Sequence, residues 1–384
     1  MRVLIVTNLF PLPNDPTRGI FNYQQFSHLP QDLNCLVLVP VPWRLWQAPF
    51  AEVMDFGRMR VRYFRFLYPP RLGRGLHHYW MWLSLFMSAL ADVDRFEPQC
   101  VLGCFLYPDG SLAAKLSARY RVPLVLKAHG TDVNVKAVDP QFRKRIEASV
   151  RRSSCLVAVA DSLADRIREI PLPARQIKVV ENGIDLDMFR LRDRAPSRLA
   201  LKLDPQSRLV LYVGNLKRDK GCLDLFDAAL TFLSQVPHSL LLYVGDGECM
   251  MELRNRIDQA GLQDRILLHG RKRHEEVPMY LSAADVLVLP SYAEGLPNVV
   301  LEAFASGRPV VGTSVGAMPS LLAAGRGVLV PPREPQQLAD GIVSVLESQY
   351  DEQRLRAFTE SRSWAASAAA LGTVLRNAYG PATS

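Results

Sequence analysis

At 384 residues the chain is too long for one hydrophobic core and suits two domains of roughly 150–200 residues each. A hydrophobic share of 48% and a charged share of 22% exclude a disordered, collagenous or coiled-coil protein. The net charge of +8 lies wholly in the first half: residues 1–190 hold 25 Lys and Arg against 17 Asp and Glu, and residues 191–384 hold 21 of each.

Short apolar runs recur along the chain, each followed by a turn and a helical pattern. In the first half they are Val3–Val6, Cys35–Val39, Val101–Gly103, Leu124–Leu126, Leu156–Val159 and Ile177–Val180. In the second half they are Leu209–Val213, Leu240–Val244, Ile266–Leu268, Val286–Leu289, Pro309–Val311 and Val328–Val330. Runs that are apolar throughout, rather than alternating, suit parallel strands covered on both faces. The alternation of strand and helix predicts an α/β protein with two doubly wound, Rossmann-like domains. The expected division is an N-terminal domain over 1–190, an arginine-rich linker over 191–207, a C-terminal domain over 208–360, and a final helix within 361–384 crossing back to the first domain. Two such domains facing a central cleft would turn the carboxyl ends of both sheets, the usual ligand-binding edge, toward it.

The run Val3–Val6 is too short for the core of a secretory signal. The longest apolar stretch, Tyr79–Ala91, is broken by Ser84 and Ser88 and falls short of the roughly 20 residues a spanning helix needs. A soluble or membrane-peripheral protein is expected. The six cysteines show no CxxC spacing, and Cys35, Cys100, Cys155 and Cys249 sit in or beside apolar runs. They read as small buried hydrophobes in a reducing compartment, not as disulfides or zinc ligands.

Candidate functional residues follow in chain order. Gly19, after Pro16-Thr17-Arg18, can let a ligand approach the first strand-to-helix loop. Residues 43–82 hold seven arginines, two acids and eleven aromatics. Trp43 and Trp46 lead this segment, and Arg60, Arg62 and Arg65 alternate with apolar residues. The segment reads either as a strand with a solvated arginine face or as a face resting on an anionic membrane, which also needs arginines and amphipathic aromatics. Nucleic-acid binding finds no helix-turn-helix, zinc or RNP-type pattern to support it. His129-Gly130-Thr131-Asp132 follows the run Leu124–Leu126, so His129 stands at a strand's carboxyl end.

In the second half Gly214-Asn215-Leu216-Lys217-Arg218-Asp219-Lys220-Gly221 places three cations within four positions at a strand-to-helix turn, which suits a diphosphate. Gly245-Asp246-Gly247-Glu248 is a glycine turn after the next strand. The most informative stretch is Glu294-Gly295-Leu296-Pro297-Asn298-Val-Val-Leu-Glu302, which turns at Gly295 and starts a helix near Pro297. That helix start offers unpaired amides and a positive dipole end to a phosphate. Glu302 lies about 7–8 Å further along the helix, so it suits a vicinal diol such as a ribose better than the phosphate.

These motifs, with Asn182-Gly183-Ile184-Asp185 and Phe189, resemble the retaining glycosyltransferases of family 4, which have the GT-B fold. Tyr107-Pro108-Asp109-Gly110 and the His129 segment look most like the branch of teichuronic-acid and exopolysaccharide glycosyltransferases. The resemblance implies that His129, Lys220 and Glu294 are catalytic. It implies that the donor, a UDP- or GDP-sugar, is held by Gly19, Asn215, Arg218, Lys220, Gly245, Gly270, Arg271, Glu294, Gly295, Leu296, Pro297, Asn298 and Glu302. Lys220, with Arg218, would neutralise the diphosphate, Glu302 would hold the ribose, and Glu294 would contact the transferred sugar. Gly270-Arg271 would line the base pocket. Asn215 stands where many members have Arg, and Ser320 follows a turn where many have Glu.

The resemblance implies an enzyme that moves a sugar, with retention, to a polysaccharide or lipid-linked acceptor in cell-surface glycan synthesis. No metal or other cofactor is expected: without a metal-binding Asp-x-Asp motif, Lys220 and the helix end would do the work of a divalent cation. Trp43, Trp46, Arg60, Arg62 and Arg65 are expected to form the acceptor or membrane face of a cytoplasmic protein peripheral to the inner membrane leaflet, with no nucleic-acid partner. The alternatives are an inactive GT-B scaffold of a polysaccharide-assembly complex and a GT-B sugar-nucleotide epimerase. A phosphorylase would need a pyridoxal lysine context that the sequence does not offer.

Overall fold

The apolar runs become strands of two sheets. The computed structural model describes residues 1–46, 52–57, 59–67, 76–173 and 175–380. The first sheet holds β1 (Arg2–Val6), β2 (Asn34–Pro42), β3 (Val53–Phe56), β4 (Met59–Phe66), β5 (Cys100–Cys104), β6 (Leu124–Ala128), β7 (Cys155–Ala158) and β8 (Gln176–Val179). Their order is β3-β4-β2-β1-β5-β6-β7-β8, parallel throughout except at the β3–β4 edge. Every residue of β5, β6 and β7 is buried, which is why these strands read as apolar runs, interrupted only by Lys127 on β6. The second sheet holds β9 (Arg208–Val213), β10 (Ser239–Val244), β11 (Ile266–Leu268), β12 (Val286–Leu289), β13 (Val310–Thr313) and β14 (Gly327–Val330). It is wholly parallel in the order β11-β10-β9-β12-β13-β14.

Each sheet anchors one compact unit: Met1–Gly183 with the segment from Trp364 onward, and Ile184–Ser363. The helix Trp364–Tyr379 is part of the first unit, where Leu371 and Leu375 join the core with Val3 and Ile5. Burying each such side chain contributes about 1.5–3 kcal/mol. Arg376 of the same helix pairs with Asp32 at 2.7 Å. In the second unit the helices Cys222–Gln235 and Pro335–Glu347 supply Phe226, Phe232, Leu338 and Ile342 to the core. All six cysteines are free and buried.

Two expectations need correction. The stretch 191–207 is not a free linker, because it carries the helix Arg194–Ala200 and lies inside the second unit. Arg198 is buried and donates to the Ala283 carbonyl at 3.0 Å and to Asp285 at 2.7 Å, and the half-exposed Arg194 pairs with Glu352 at 2.8 Å. These carboxylates lie about 90 and 160 residues away in sequence, so local composition carried no sign of them.

Nor do Arg60, Arg62 and Arg65 share a face. β4 pairs with β2 in unbroken register from Cys35↔Met59 to Pro42↔Phe66, and a strand's side chains alternate with a period of two. Arg60 and Arg62 therefore point one way and Arg65 the other. Arg62 is also only 7% exposed, bonded to Asp92 at 2.7 Å, to Glu52 at 2.5 Å and to the Ser88 carbonyl at 2.8 Å. Trp43 and Trp46 are half-buried, with Arg44 over the Trp43 ring at 5.4 Å and Trp46 packed on the core. The rest of the basic tract, 47–51, 58 and 68–75, lies outside the described residues.

Candidate active site

In a parallel sheet all strand-to-helix loops leave one edge, so the sequence motifs of the second unit meet there. The loop after β9 ends in the turn Arg218–Lys220, ahead of the helix Cys222–Gln235. The loop after β12 runs through Glu294 to Pro297, which caps the helix Asn298–Ala305. Between them Lys220 Nζ donates to Glu294 Oε1 at 2.7 Å, both side chains being mostly buried. The loop after β13 packs on the same turn: Ala317 N–H donates to the Gly295 carbonyl at 3.1 Å. Gly316, at φ +54°, lies so close to the Glu294 carbonyl that a Cβ would collide with it. Gly245 N–H donates to the Gly270 carbonyl at 2.9 Å, joining the loops after β10 and β11.

Glu302 projects from the second turn of the helix Asn298–Ala305, and its Oε1 lies 3.0 Å from His274 Nε2. His274 stands in the turn after β11, against the ring of Phe189 at 5.3 Å. Burial lowers the imidazole's proton affinity. The Glu302 hydrogen bond and the charges of Glu302, Glu275 and Asp185 outweigh that effect, so the net direction is upward. Arg218 does not join Lys220. It is 68% exposed at its side chain and pairs with Glu252 at 2.6 Å. Asn215 is exposed, its carbonyl accepting the Tyr212 hydroxyl at 2.8 Å. Leu296 and Pro297 are buried, and Arg271 is exposed.

In the first unit His129 follows β6 and stacks between Phe105 at 4.4 Å and Phe21 at 5.1 Å. Burial and, after it, the Lys127 charge push its pKa well below the ordinary histidine value, so the ring is neutral. Asp132 is buried beneath it and accepts the backbone N–H groups of Leu106, His129 and Gly130 at 2.9–3.0 Å. Nearby, Asp109 accepts Asn8 N–H at 2.8 Å, and burial pushes its carboxyl up to about 8. Gly19, at φ +58°, is required by the chain itself, because a Cβ would collide with the backbone of Leu9.

Two Asp-x-Asp triplets occur, Asp92-Val-Asp94 and Asp185-Leu-Asp187. Asp92 is held by Arg62 and Arg95, Asp94 by Tyr120 at 2.7 Å, and Asp185 by the amides of Asp187 and Met188. Among the described residues no group of three or more His, Cys, Asp or Glu could hold a metal.

Two family models match the chain: "Glycosyltransferase Family 4" over residues 42–188 and "Glycosyl transferases group 1" over residues 207–348. A Bacillus subtilis (strain 168) protein bearing the name teichuronic acid biosynthesis glycosyltransferase TuaC is 30% identical over 365 residues, 89% of this chain and 88% of its own. The chain belongs to glycosyltransferase family 4. A second relative, a Salmonella typhimurium protein named for colanic acid biosynthesis, WcaL, is 29% identical over 67% of this chain and 64% of its own. Among solved structures, sucrose-phosphate synthase from Thermosynechococcus elongatus superposes with TM-score 0.80 at 20% identity, covering 98% of each chain. Anabaena HepE in complex with UDP and glucose superposes with TM-score 0.71 at 20% identity, again over 98% of each chain. The fold of this family 4 glycosyltransferase is thus GT-B, built from two Rossmann-like units.

The motifs did not single out His274, the partner of Glu302, or the buried carboxyl of Asp109. His274 lies six residues past β11, and the rule that singled out His129, a histidine directly after a strand, falls on His269 instead. Asp109 stands in the motif Tyr107-Pro108-Asp109-Gly110, but its burial depends on β1 and β5 lying side by side and is not legible there.

Proposed function

We propose that this glycosyltransferase takes its sugar from a nucleoside diphosphate sugar and transfers it, with retention, to a glycan or lipid-linked acceptor of the cell surface. The observation that carries the reading is the Lys220–Glu294 pair beside the start of the helix Asn298–Ala305. A departing diphosphate gains negative charge in the transition state. A preset cation and a helix N-terminus stabilise that charge without reorganising. Glu294 is then the group for the sugar's hydroxyls and Glu302 the acceptor for the ribose diol. His129, neutral, is assigned to the reacting sugar as a hydrogen-bonding group. The UDP bound to HepE, at the same fold, supports a UDP-sugar, with a GDP-sugar as the second candidate. The names of the teichuronic and colanic acid relatives support a cell-surface glycan. The positive charge comes from Lys220 and the helix end, so no metal is assigned.

We also assign the first unit to an anionic membrane surface on the cytoplasmic side. The support now rests on the helix His77–Ser88 and not on the β4 arginines. Tyr79, Leu83, Phe86 and Met87 stand at i, i+4, i+7 and i+8, all exposed, Phe86 at 61% and Met87 at 70%. Lys115 lies over the rings of Tyr79 at 4.1 Å and Trp82 at 5.6 Å, adding a cation to the apolar stripe. Among the described residues no helix is long and apolar enough to cross a membrane. The donor assignment is tested by nucleoside diphosphate release from a panel of UDP-, GDP- and ADP-sugars, with product analysis to separate transfer from epimerisation.

A further inference from the structure

We propose that His274 is a positioning residue for nucleotide recognition, holding one oxygen of Glu302 so that the rest of the carboxylate is set to receive the donor's ribose diol. This rests on the reading that Glu302 takes the ribose. The geometry supports it in three ways. A glutamate side chain is flexible, and an unheld carboxylate must be ordered by the ligand at the moment of binding. Here Glu302 Oε1 is already engaged by His274 Nε2 at 3.0 Å, and both side chains are mostly buried. His274 is itself fixed, because its ring packs on Phe189 at 5.3 Å and its backbone sits in the turn His274–Glu276, directly after the loop of Gly270 and Arg271. An ionised carboxylate has about four acceptor positions, so one bond to His274 leaves room for two hydroxyls.

The pair also makes recognition sensitive to pH. The charged groups acting on the imidazole are Glu302 from the helix Asn298–Ala305, Asp185 from the segment before Phe189, and Glu275 from its own turn. All three are carboxylates and favour the protonated ring. Protonated His274 makes a charge-assisted bond to Glu302 and places a positive charge near a polyanionic ligand. As pH rises through the His274 pKa, which lies above the ordinary histidine value, both effects fade. Nucleotide affinity then falls.

The test is calorimetric titration of UDP, GDP and their 2′-deoxy counterparts into the full chain, between about pH 6 and about pH 9. The proteins are wild type, Glu302→Gln, His274→Ala, His274→Gln and the double variant His274→Ala/Glu302→Gln. Circular dichroism checks that each is folded. Glu302→Gln should weaken the ribonucleotide about tenfold and remove the preference over the 2′-deoxy form. His274→Ala should weaken it about fivefold, reduce that preference, and cost nothing further in the double variant. His274→Gln keeps a donor near the Nε2 position without a titratable proton. It should match wild type at high pH and remove the part of the pH dependence that His274 supplies, leaving only that of the nucleotide's own phosphate and base. If Glu302→Gln is impaired while His274→Ala binds as wild type at every pH, the positioning role is wrong and the ribose assignment stands. If Glu302→Gln binds as wild type, the ribose assignment itself is wrong. A pH dependence unchanged in His274→Gln also overturns the proposal, even if the alanine variant fails to fold.

Discussion

Lys220 and Glu294, 74 residues apart in sequence, meet at 2.7 Å where the loops after β9 and β12 leave the same sheet edge. The pair has a chemical consequence beyond holding two loops together. Each group holds the other in place before any ligand arrives, which is what electrostatic preorganisation requires.

Replacing Lys220 by alanine should therefore lower turnover by about 10²-fold or more, since it removes a positive charge aimed at the leaving diphosphate. It also strands Glu294, so Lys220→Met should be no better. Steady-state kinetics with the preferred donor checks this. Turnover within about threefold of wild type would remove Lys220 from the reaction.

A second prediction concerns a buried amine. Lys127 on β6 is fully buried, bonded to Gln25 at 2.6 Å, and burial lowers its pKa to about 8. An unfolded lysine titrates near about 10.4. The folded state therefore binds the proton less well, and stability rises between about pH 8 and about pH 10 as the unfolded chain loses its advantage. The difference is on the order of 2–3 kcal/mol. Thermal melts should show this rise in wild type and lose it in Lys127→Met, after subtraction of the cysteine and tyrosine background common to both. Parallel pH curves for the two proteins would contradict it.

A third prediction concerns the membrane. Vesicle co-sedimentation should depend on anionic lipid and fall between about 50 and about 500 mM salt, because surface attraction is screened within a Debye length of roughly 8–10 Å. Replacing Leu83, Phe86 and Met87 by serine should abolish binding while leaving nucleotide affinity intact. Arg60→Ser with Arg65→Ser should reduce it less. Equal sedimentation with neutral vesicles, or no effect of the helix triple variant, would return these residues to ordinary exposed surface.

The expectation that no metal takes part is testable as it stands. Activity should be unchanged in EDTA, since Lys220 and the start of the helix Asn298–Ala305 supply the charge. Loss of activity on chelation, restored by manganese, would require a metal site that the described residues do not offer.

The sequence made the sheets legible because their central strands are buried on both faces and so carry runs that are apolar but for Lys127 on β6. It did not show β3, whose Val53–Phe56 is a short, partly exposed edge strand. The glutamates and lysine of the donor loops were readable because the spacing around Gly295 and Pro297 fixes a turn and a helix start. Partners brought in by tertiary packing were not. Arg62 reads as one of three surface arginines until Asp92, 30 residues on, closes over it. The pairing of Arg218 with Glu252, on the helix Met250–Ala260, has no local sign in the motif. His274 was visible as a residue but not as a partner, since only the packing of its turn against the helix Asn298–Ala305 brings Glu302 within 3.0 Å.

The most direct test of the central claim is nucleoside diphosphate release from UDP-, GDP- and ADP-sugars, measured in EDTA for wild type and Lys220→Ala. The account predicts that wild type releases UDP or GDP from at least one donor, that the same donor raises its melting temperature, and that Lys220→Ala loses at least about 10²-fold of the release. Release that is equal in the two proteins, or no release and no thermal shift with any donor, would contradict it.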